Sequence, residues 1–259
     1  MNSLGPVTPE VFDHSAGADA PIVVRGLDHW FGEGEARKQV LFDVNLTVER
    51  GKLTVLLGAS GSGKTTLLTL VGCLRRVEDG SVTLLGTELA GADESVLVRC
   101  RRRLGFIFQA HNLHESLTAM QNVRMGLDVH GRATAASWKE AAAHLLTLLG
   151  LGDRLEYLPA NLSGGQKQRV AVARALVGNP EVVFADEPTA ALDKESALTV
   201  VMLLKRLGQE RGTTTLMVTH DTKIMDLADR IITLEEGRIV ADRSGQGVGQ
   251  HPGPVYLVS

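Results

Sequence analysis

Hydrophobic residues in this chain are grouped into short runs, and stretches of helical periodicity lie between them. The runs with strand character are Ile22–Val24, Leu41–Val48, Leu53–Leu57, Val82–Leu85, Phe106–Phe108, Val182–Ala185, Leu216–Thr219 and Ile231–Leu234. Apolar runs without alternating polar positions are typical of strands buried on both faces. Because the runs alternate with helical stretches, the pattern predicts an α/β fold with a mostly parallel sheet covered by helices.

Helical periodicity marks four regions, residues 65–76, 166–177, 194–209 and a longer stretch from about 120 to 158. The longest region is rich in Ala and Leu, and we predict that it is a helical insertion in the α/β core. The residues that recur there at helical spacing, and are therefore predicted to be core, are Trp138, Leu145, Leu146, Leu148 and Leu149.

The domain organisation follows from where these patterns begin and end. One domain is predicted over residues 21–243, with a helical subdomain at about residues 110–165. Residues 1–20 are small and polar, and residues 244–259 are rich in Gly and Pro, so both are predicted to be flexible tails. We see neither a signal-peptide pattern nor the roughly 18 apolar residues in a row that a membrane span needs. A role at a membrane would therefore depend on a partner.

Composition narrows the class only slightly. The chain has 259 residues, of which 44% are hydrophobic and 22% charged, as in ordinary soluble proteins. Its formal net charge of −3 argues against a dedicated nucleic-acid binder, and no nucleic-acid partner is expected. The two cysteines, Cys73 and Cys100, form no Cys/His cluster, so they are predicted to be reduced thiols.

A glycine-rich loop with the pattern G-x4-G-K-T follows one predicted strand and begins a predicted helix. The loop consists of Gly58, Ala59, Ser60, Gly61, Ser62, Gly63, Lys64, Thr65 and Thr66. Glycines allow backbone N–H groups to surround phosphate oxygens, and the helix N-terminus adds its positive dipole end. Lys64 is predicted to contact the β- and γ-phosphates, and the Thr65 hydroxyl to ligate Mg²⁺.

Two carboxylates, Asp186 and Glu187, end the apolar strand that starts at Val182. Strand ends in a doubly wound sheet line the ligand crevice, so both carboxylates should face the nucleotide. Asp186 fits the acid that holds Mg²⁺ in P-loop ATPases. Glu187 fits a general base that activates the attacking water.

A third motif, LSGGQ at residues 162–166, is followed by KQRVAVARAL. Its serine and glycines place N–H donors at a helix N-terminus, as the glycine-rich loop also does. With this motif the chain resembles the ABC ATPases over roughly residues 20–241. The resemblance implies a P-loop NTPase fold with a mostly parallel core sheet, an antiparallel β subdomain and an inserted α-helical subdomain. It also implies hydrolysis of ATP to ADP and phosphate, with Mg²⁺ as the metal.

The resemblance implies roles for further residues. In the family, two cassettes pair head to tail, and each signature motif closes over the ATP held by its partner. The residues implied to bind nucleotide in that way are Ser163, Gly164, Gly165 and Gln166, with Asp193 reaching across the dimer.

Three more positions match family motifs. Gln109 resembles the glutamine that contacts Mg²⁺ and water and senses the transporter subunit, and His220 resembles the histidine that contacts the γ-phosphate. Phe31 aligns with the aromatic residue that stacks on adenine, although the neighbouring Trp30 is left open as the stacking ring.

The family contains importers, exporters and soluble machines. A single cassette without a long heptad insertion or zinc ligands favours a transporter subunit paired with a separate permease, and a soluble ATPase in repair or regulation is the alternative. The compact cassette resembles the LolD/MacB branch of exporters. The segments that most resemble the DevA type of DevBCA exporters are FGEGEARKQVLFDVNL, LLTLVGCLRRVEDGSV and FIFQAHNLHESLTAMQNV.

The exporter resemblance implies three partners: a second copy of the chain, an integral membrane permease and, through the permease, a periplasmic membrane-fusion adaptor. It implies lipid, glycolipid or peptide cargo and a location at the cytoplasmic face of the inner membrane. The basic run from Arg99 to Arg103 is predicted to be either a solvated helix face or a contact for a partner loop or anionic lipid headgroups. The neighbourhood of His111 is predicted to be either a permease contact or a plain surface loop.

Overall fold

A computed structural model of the chain describes residues 20–129 and 138–244. The described residues form a six-stranded, mostly parallel sheet and a four-stranded antiparallel sheet. The predicted tails lie outside the described residues except for Ala20 and Ser244. The domain boundaries therefore stay predictions.

The strands are β1 (Ile22–Phe31), β2 (Lys38–Val48), β3 (Leu53–Leu57), β4 (Asp79–Leu84), β5 (Thr87–Glu88), β6 (Leu104–Ile107), β7 (Val182–Asp186), β8 (Thr214–Val218), β9 (Arg230–Glu235) and β10 (Arg238–Ser244). The helices are α1 (Lys64–Val71), α2 (Glu94–Arg101), α3 (Ala119–Val129), α4 (Trp138–Leu148), α5 (Gly164–Leu176), α6 (Lys194–Arg211) and α7 (Thr222–Met225). Short 3₁₀ helices lie at Gly34–Ala36 and Pro159–Asn161. Among the helices that the structure describes, none combines the length and the apolar character that crossing a membrane requires.

The large sheet has the order β10-β9-β3-β8-β7-β6, and all its pairs are parallel except β10 with β9. Successive residues of a strand point to opposite faces, so each central strand contributes to two cores. In β7, Val182 and Phe184 join the core beneath α1, whereas Val183 and Ala185 join the core beneath α5 and α6. Burial on both faces explains why these strands are mostly apolar in the sequence.

The small sheet has the order β2-β1-β4-β5, and all its pairs are antiparallel. It closes the first core with Ile22, Val24 and Leu27, each at most 2% exposed. The β1 strand runs on past Val24, where its prediction ended, because Gly26 at φ +54° shifts the register and allows pairing to resume. Phe31 is thereby the last residue of β1, where it pairs with Lys38 of β2.

The helical region contains α3 and α4, which pack on α5. Leu146 and Leu149 are fully buried, and Trp138 and Leu145 pack against the same core, so the predicted core role of these four residues is confirmed. Leu148 is half-buried.

Some predicted element boundaries were wrong. The α1 helix ends at Val71 rather than at residue 76, because Cys73 turns to φ +60° and the N–H groups of Leu74 and Arg75 both bond back to the Thr69 carbonyl. The β6 strand is Leu104–Ile107 rather than Phe106–Phe108. Sequence patterning also missed α2, β5 and β10, which are short or polar.

The basic run lies at the end of α2 and the start of β6. Arg101 donates to the Cys73 carbonyl at 2.9 Å and pairs with Glu94. Arg103 makes a two-pronged pair with Glu181, at 2.6 and 2.8 Å. These two arginines tie α2 and β6 to neighbouring segments. The predicted contact with a partner loop or lipid stays a prediction.

Candidate nucleotide site

The phosphate loop, the glycine-rich segment that starts at Gly58, leads from β3 into α1 and is held by three sets of hydrogen bonds. Its turn is closed by the Ser62 N–H, which donates to the Ala59 carbonyl at 3.2 Å. The Gly237 N–H, in the turn between β9 and β10, donates to the Ser62 carbonyl at 3.0 Å. The Lys64 ammonium donates to the carbonyls of Gly58 and Ala59, both at 2.8 Å. The hydrogen bonds of the loop and of Gly237 therefore fix the loop's shape.

Two glycines of the loop are required by its geometry. Gly58 has φ +153°, and a Cβ there would lie 2.1 Å from the Leu234 carbonyl oxygen. Gly63 has φ +104° and precedes α1 without a side-chain cap, so it leaves the first N–H groups of the helix open. Open N–H groups at a helix N-terminus bind anions.

The carboxyl end of β7 lies directly beside this loop. The Thr65 hydroxyl donates to Oδ2 of Asp186 at 2.9 Å. Glu187 follows with φ +49°, and its backbone N–H donates to the Val218 carbonyl at 2.9 Å. Oε1 of Glu187 lies 3.1 Å from Nε2 of His220. The parallel strand order β3-β8-β7 thus brings Thr65 into contact with Asp186, 121 positions away in the sequence.

The electrostatics of the pair Lys64 and Glu187 reflect partial burial. Burial is the main cause that raises the pKa of Glu187, and His220 opposes the rise. Burial is likewise the main cause that lowers the pKa of Lys64, whereas the charges of Glu187 and Asp186 raise it. A carboxylate whose pKa is raised is a stronger base than an exposed glutamate, so Glu187 suits proton abstraction.

These residues line a cleft of about 830 Å³, within the roughly 300–1,000 Å³ range of small-molecule sites. The predicted site residues along it are Phe31, Ser60, Gly61, Gly63, Lys64, Thr65, Thr66, Gln109, Asp186, Glu187 and His220. Phe31 is 37% exposed. Trp30 is not among the described residues that line the cleft, so the geometry favours Phe31 over Trp30 as a stacking ring.

Sequence reasoning missed several residues of the cleft. Val40 lies on β2 near Phe31, and Thr189, Leu192 and Thr219 lie in the segments after β7 and β8. Thr189 and Thr219 lie just beyond the carboxyl ends of β7 and β8. Because ligands of an α/β sheet bind outside those strand ends, both residues could have been predicted from the sequence. Val40 could not have been, because its place depends on the β1–β2 pairing.

The signature motif lies apart from this cleft. Ser163 and Gln166 form a capping box at the start of α5, in which the Gln166 N–H donates to the Ser163 hydroxyl at 3.2 Å and the Ser163 N–H donates to Gln166 Oε1 at 2.9 Å. Ser163 and Gly164 are exposed. Neither they, Gly165 nor Gln166 is among the described residues that line the cleft.

Asp193 has a structural role that the sequence did not predict. Its side chain accepts from the N–H of Ser196 at 3.0 Å and from the Ser196 hydroxyl at 2.7 Å, so it caps α6. It is not among the described residues of the cleft. Its predicted role across a dimer stays a prediction.

The donor set suits Mg²⁺. The Thr65 hydroxyl and the Asp186 carboxylate are in contact, and the Gln109 amide lines the same cleft. These are hard oxygen donors, which Mg²⁺ prefers, and it is usually held by one or two carboxylates together with substrate phosphates. Within residues 20–129 and 138–244, no cluster of three His, Cys, Asp or Glu residues forms a ready-made metal cage. The residues present therefore fit a metal that arrives with its nucleotide.

Comparison with known proteins decides the family. A family model described as ABC transporter matches residues 41–190. The chain belongs to the ABC transporter family. This membership confirms the predicted fold class and the predicted enzyme class, an ABC-type ATP hydrolase. The DevA resemblance and the roles of the individual site residues stay predictions.

Curated relatives of this ABC cassette include MacB proteins. This chain is 47% identical over 227 residues to the macrolide export ATP-binding/permease protein MacB of Bartonella henselae. The match covers 87% of this chain and 34% of that protein. The chain is 43% identical over 233 residues to the MacB of Shewanella sp., covering 90% of this chain and 36% of that protein. The chain thus spans about a third of the length of these relatives. The LolD/MacB-like resemblance is confirmed.

Solved structures give the same family. A dimeric structure of the ATP-binding cassette MJ0796, in a post-hydrolysis state bound to ADP and Pi, has a TM-score of 0.82 and 35% sequence identity, covering 87% of this chain and 99% of that one. A second dimeric structure of MJ0796 has the same TM-score, identity and coverage.

Proposed function

We propose that this chain is the ATP-hydrolysing subunit of an ABC exporter and powers transport through a permease. The observation that carries the proposal is the single cleft in which Lys64, the Thr65–Asp186 contact and the Glu187–His220 pair meet. A cradle for phosphates, oxygen donors for Mg²⁺ and a base beside them are the parts that nucleotide hydrolysis needs.

Nucleotide binding uses the loop and its lysine. The N–H groups at the start of α1 donate to the phosphate oxygens, and Lys64 exchanges the carbonyls of Gly58 and Ala59 for the β- and γ-phosphates. Thr65, Asp186 and Gln109 would hold Mg²⁺, which when bound neutralises charge that develops on the phosphates. Phe31 stacks on the adenine ring.

Hydrolysis uses the raised basicity of Glu187. A water oxygen attacks the γ-phosphorus while Glu187 takes one of its protons, and the bond from the γ-phosphorus to the bridging oxygen breaks. The bridging oxygen leaves on ADP, and the attacking oxygen stays on the released phosphate. His220, 3.1 Å from Glu187, orients the carboxylate and donates toward the γ-phosphate. Gln109, which lines the same cleft, positions the water.

The signature motif completes the site from a second copy. Ser163, Gly164, Gly165 and Gln166 are proposed to bind the γ-phosphate held by the partner's phosphate loop, and Asp193 to contact the partner. Exposure of Ser163 and Gly164 at a helix N-terminus supports this proposal. The dimeric structures of MJ0796 support it as well, since that cassette is 35% identical to this one.

The transport role rests on the relatives. MacB of Bartonella henselae is a macrolide export ATP-binding/permease protein, and its matched third corresponds to this cassette. We therefore propose a permease as the membrane partner, a periplasmic adaptor reached through it, and a location at the cytoplasmic face of the inner membrane. A lipid, glycolipid or peptide cargo and the DevA-type assignment are the finer parts of this proposal.

Substitution of Glu187 by Gln tests the hydrolytic proposal. We expect Glu187→Gln to lower ATP hydrolysis by about 100- to 10,000-fold, because it removes the general base. The variant should also accumulate as an MgATP-dependent dimer in size-exclusion chromatography. Glu210→Gln, which changes an exposed carboxylate paired with Arg206 at 2.7 Å, serves as the control. Wild-type turnover by Glu187→Gln would remove Glu187 from the role of base.

Association with a permease tests the transport role separately. The wild-type chain should co-purify from membranes with a multi-span protein, and its ATPase rate should change in that complex. An active ATPase that associates with no membrane protein would instead favour the soluble repair or regulatory class.

A further inference from the structure

Phe31 is held in place by two side chains that the mechanism above does not use. The His29 imidazole meets the Phe31 ring edge-on, with centroids 5.0 Å apart and planes at 89°. The Arg75 guanidinium lies over the same ring, 4.8 Å from its centroid. His29 is two residues before Phe31 on β1, and Arg75 lies in the segment after α1.

His29 is an unusual residue to bury at this position. It is 6% exposed, and neither ring nitrogen has a hydrogen-bond partner among residues 20–129 and 138–244. Leaving such groups without partners costs stability, so His29 is not explained by hydrogen bonding within the described residues. Burial lowers the pKa of His29, with Glu78 raising it and Arg75 lowering it. A neutral imidazole acts as an aromatic wall for Phe31 and does not repel Arg75.

The Phe31 ring takes part both in the cleft and in the contact with Arg75. Phe31 lines the cleft, and Arg75 is not among the described residues that do so. A base that stacks on Phe31 in the cleft would share the ring with the Arg75 guanidinium.

The geometry points to Arg75 as a positioning residue that sets the affinity for the nucleotide base, with His29 as its support. This inference rests on the proposed nucleotide site and adds to it. A ring already fixed by its neighbours loses less conformational entropy when a base stacks on it. A guanidinium on one face also strengthens the ring as a stacking platform, because cation–π contacts at exposed sites are favourable.

A double-mutant cycle on Arg75 and Phe31 tests the inference. We expect Arg75→Ala to raise the KM for ATP by about two- to fivefold with kcat unchanged, which is the size of an exposed cation–π contact. Arg75→Lys should recover part of that loss. In a Phe31→Leu background, Arg75→Ala should have no further effect, because the ring through which Arg75 acts is gone.

A neighbouring pair supplies the matched control. Arg37 lies 4.6 Å from the centroid of the Trp30 ring, and neither residue is among the described ones that line the cleft. Arg37→Ala should leave the KM for ATP unchanged. His29→Phe, which keeps an aromatic edge against Phe31, should retain the wild-type KM, and His29→Ala should raise it. Thermal unfolding curves show whether each variant folds.

Inorganic tripolyphosphate distinguishes stacking from simple attraction of phosphate. Its inhibition constant should be the same for the wild-type chain and Arg75→Ala, because it has no base. A parallel loss of tripolyphosphate affinity, an unchanged KM for ATP, or an undiminished effect of Arg75→Ala in the Phe31→Leu background would each overturn the inference. If the wild-type chain hydrolysed no ATP, the proposed function itself would fail; in every other case only the role of Arg75 is at stake.

Discussion

Two glycine-rich segments begin helices in this cassette, and their N-termini are finished differently. At α1, Gly63 supplies no side-chain cap, and Lys64 and Thr65 follow it into the cleft. At α5, Ser163 and Gln166 cap each other. The first helix start is therefore open toward acids and a lysine of the same chain, whereas the second is exposed and partly satisfied by its own residues. The first helix start lines the cleft, and the second is proposed to bind the nucleotide of a second copy.

The glycines of the two segments differ in the same sense. Gly58 cannot carry a side chain, because its Cβ would lie 2.1 Å from a carbonyl oxygen. Gly164 has no atom within 4 Å of its potential Cβ among the described residues, and its φ is not in the left-handed region. The fold of one chain requires the first glycine and leaves the second unexplained. A phosphate brought by a second copy would explain it.

The largest effect is expected at the phosphate loop. Lys64→Ala should lower ATP hydrolysis by at least about 100-fold, because it removes the cation that faces developing charge on the phosphates. Nucleotide binding should weaken as well, as measured by fluorescence titration. Lys52→Ala, at an exposed lysine just before β3, provides the control. An unchanged ATPase rate in Lys64→Ala would contradict the phosphate-binding role of the loop.

A charged residue in the LSGGQ motif tests whether that motif faces a nucleotide. Gly164→Asp should lower ATPase activity by at least about tenfold, because a carboxylate would face the γ-phosphate of the partner's ATP. The isolated chain should keep its stability, since an acid in the first turn of α5 interacts well with the helix dipole. Gly164→Asn adds similar bulk without charge and should be less severe. Wild-type activity in Gly164→Asp would place the signature motif outside the site.

Alanine substitutions at Gly58 and Gly164 should change the stability of the fold differently. Gly58→Ala is expected to destabilise the fold by about 1–3 kcal/mol, because the loop has to move away from Leu234. Gly164→Ala should instead be neutral or stabilising by up to about 1 kcal/mol, since it adds a methyl group in open space and restricts the unfolded chain. Urea unfolding measures both. Equal losses would show that Gly164, too, is fixed by packing within the chain.

A smaller effect is expected from the burial of Glu187. Its folded-state pKa is raised, so the folded chain binds a proton more tightly than the unfolded chain, and ionisation lowers stability as pH rises through that pKa. Glu187→Gln should therefore have a higher Tm than the wild-type chain at neutral pH. The difference should vanish as pH falls below the ordinary glutamate range. A lower Tm for the variant at neutral pH would mean that the pair with His220 outweighs burial.

The sequence predicted the parts of this cassette that depend on local pattern. Strand β3 was predicted at its observed bounds, because four of the five residues from Leu53 to Leu57 are apolar and the loop follows at once. The phosphate loop and the Asp186–Glu187 pair were predicted because their chemistry needs adjacent residues. The structure brings Asp186 to Thr65 and Glu187 to His220.

Features that depend on distant pairing were not predictable in the same way. The antiparallel sheet was expected only from family resemblance, because β1 contains Gly26, Asp28 and His29 and lacks a clean alternation. The choice between Trp30 and Phe31 depends on which ring faces the cleft, which is set by the register of β1. The tie between Gly237 and Ser62 links residues 175 positions apart, and nothing in either local sequence indicates it.

Mixing two inactive variants tests most directly whether a second copy completes the site. A head-to-tail dimer of Lys64→Ala with Gly164→Asp would combine both defects in one site and leave the other site intact. We expect each variant alone to be nearly inactive, and the mixture to recover up to about a quarter of the wild-type rate, because half of randomly formed dimers are mixed. A mixture no more active than the sum of its parts, with dimers shown to form, would contradict the account.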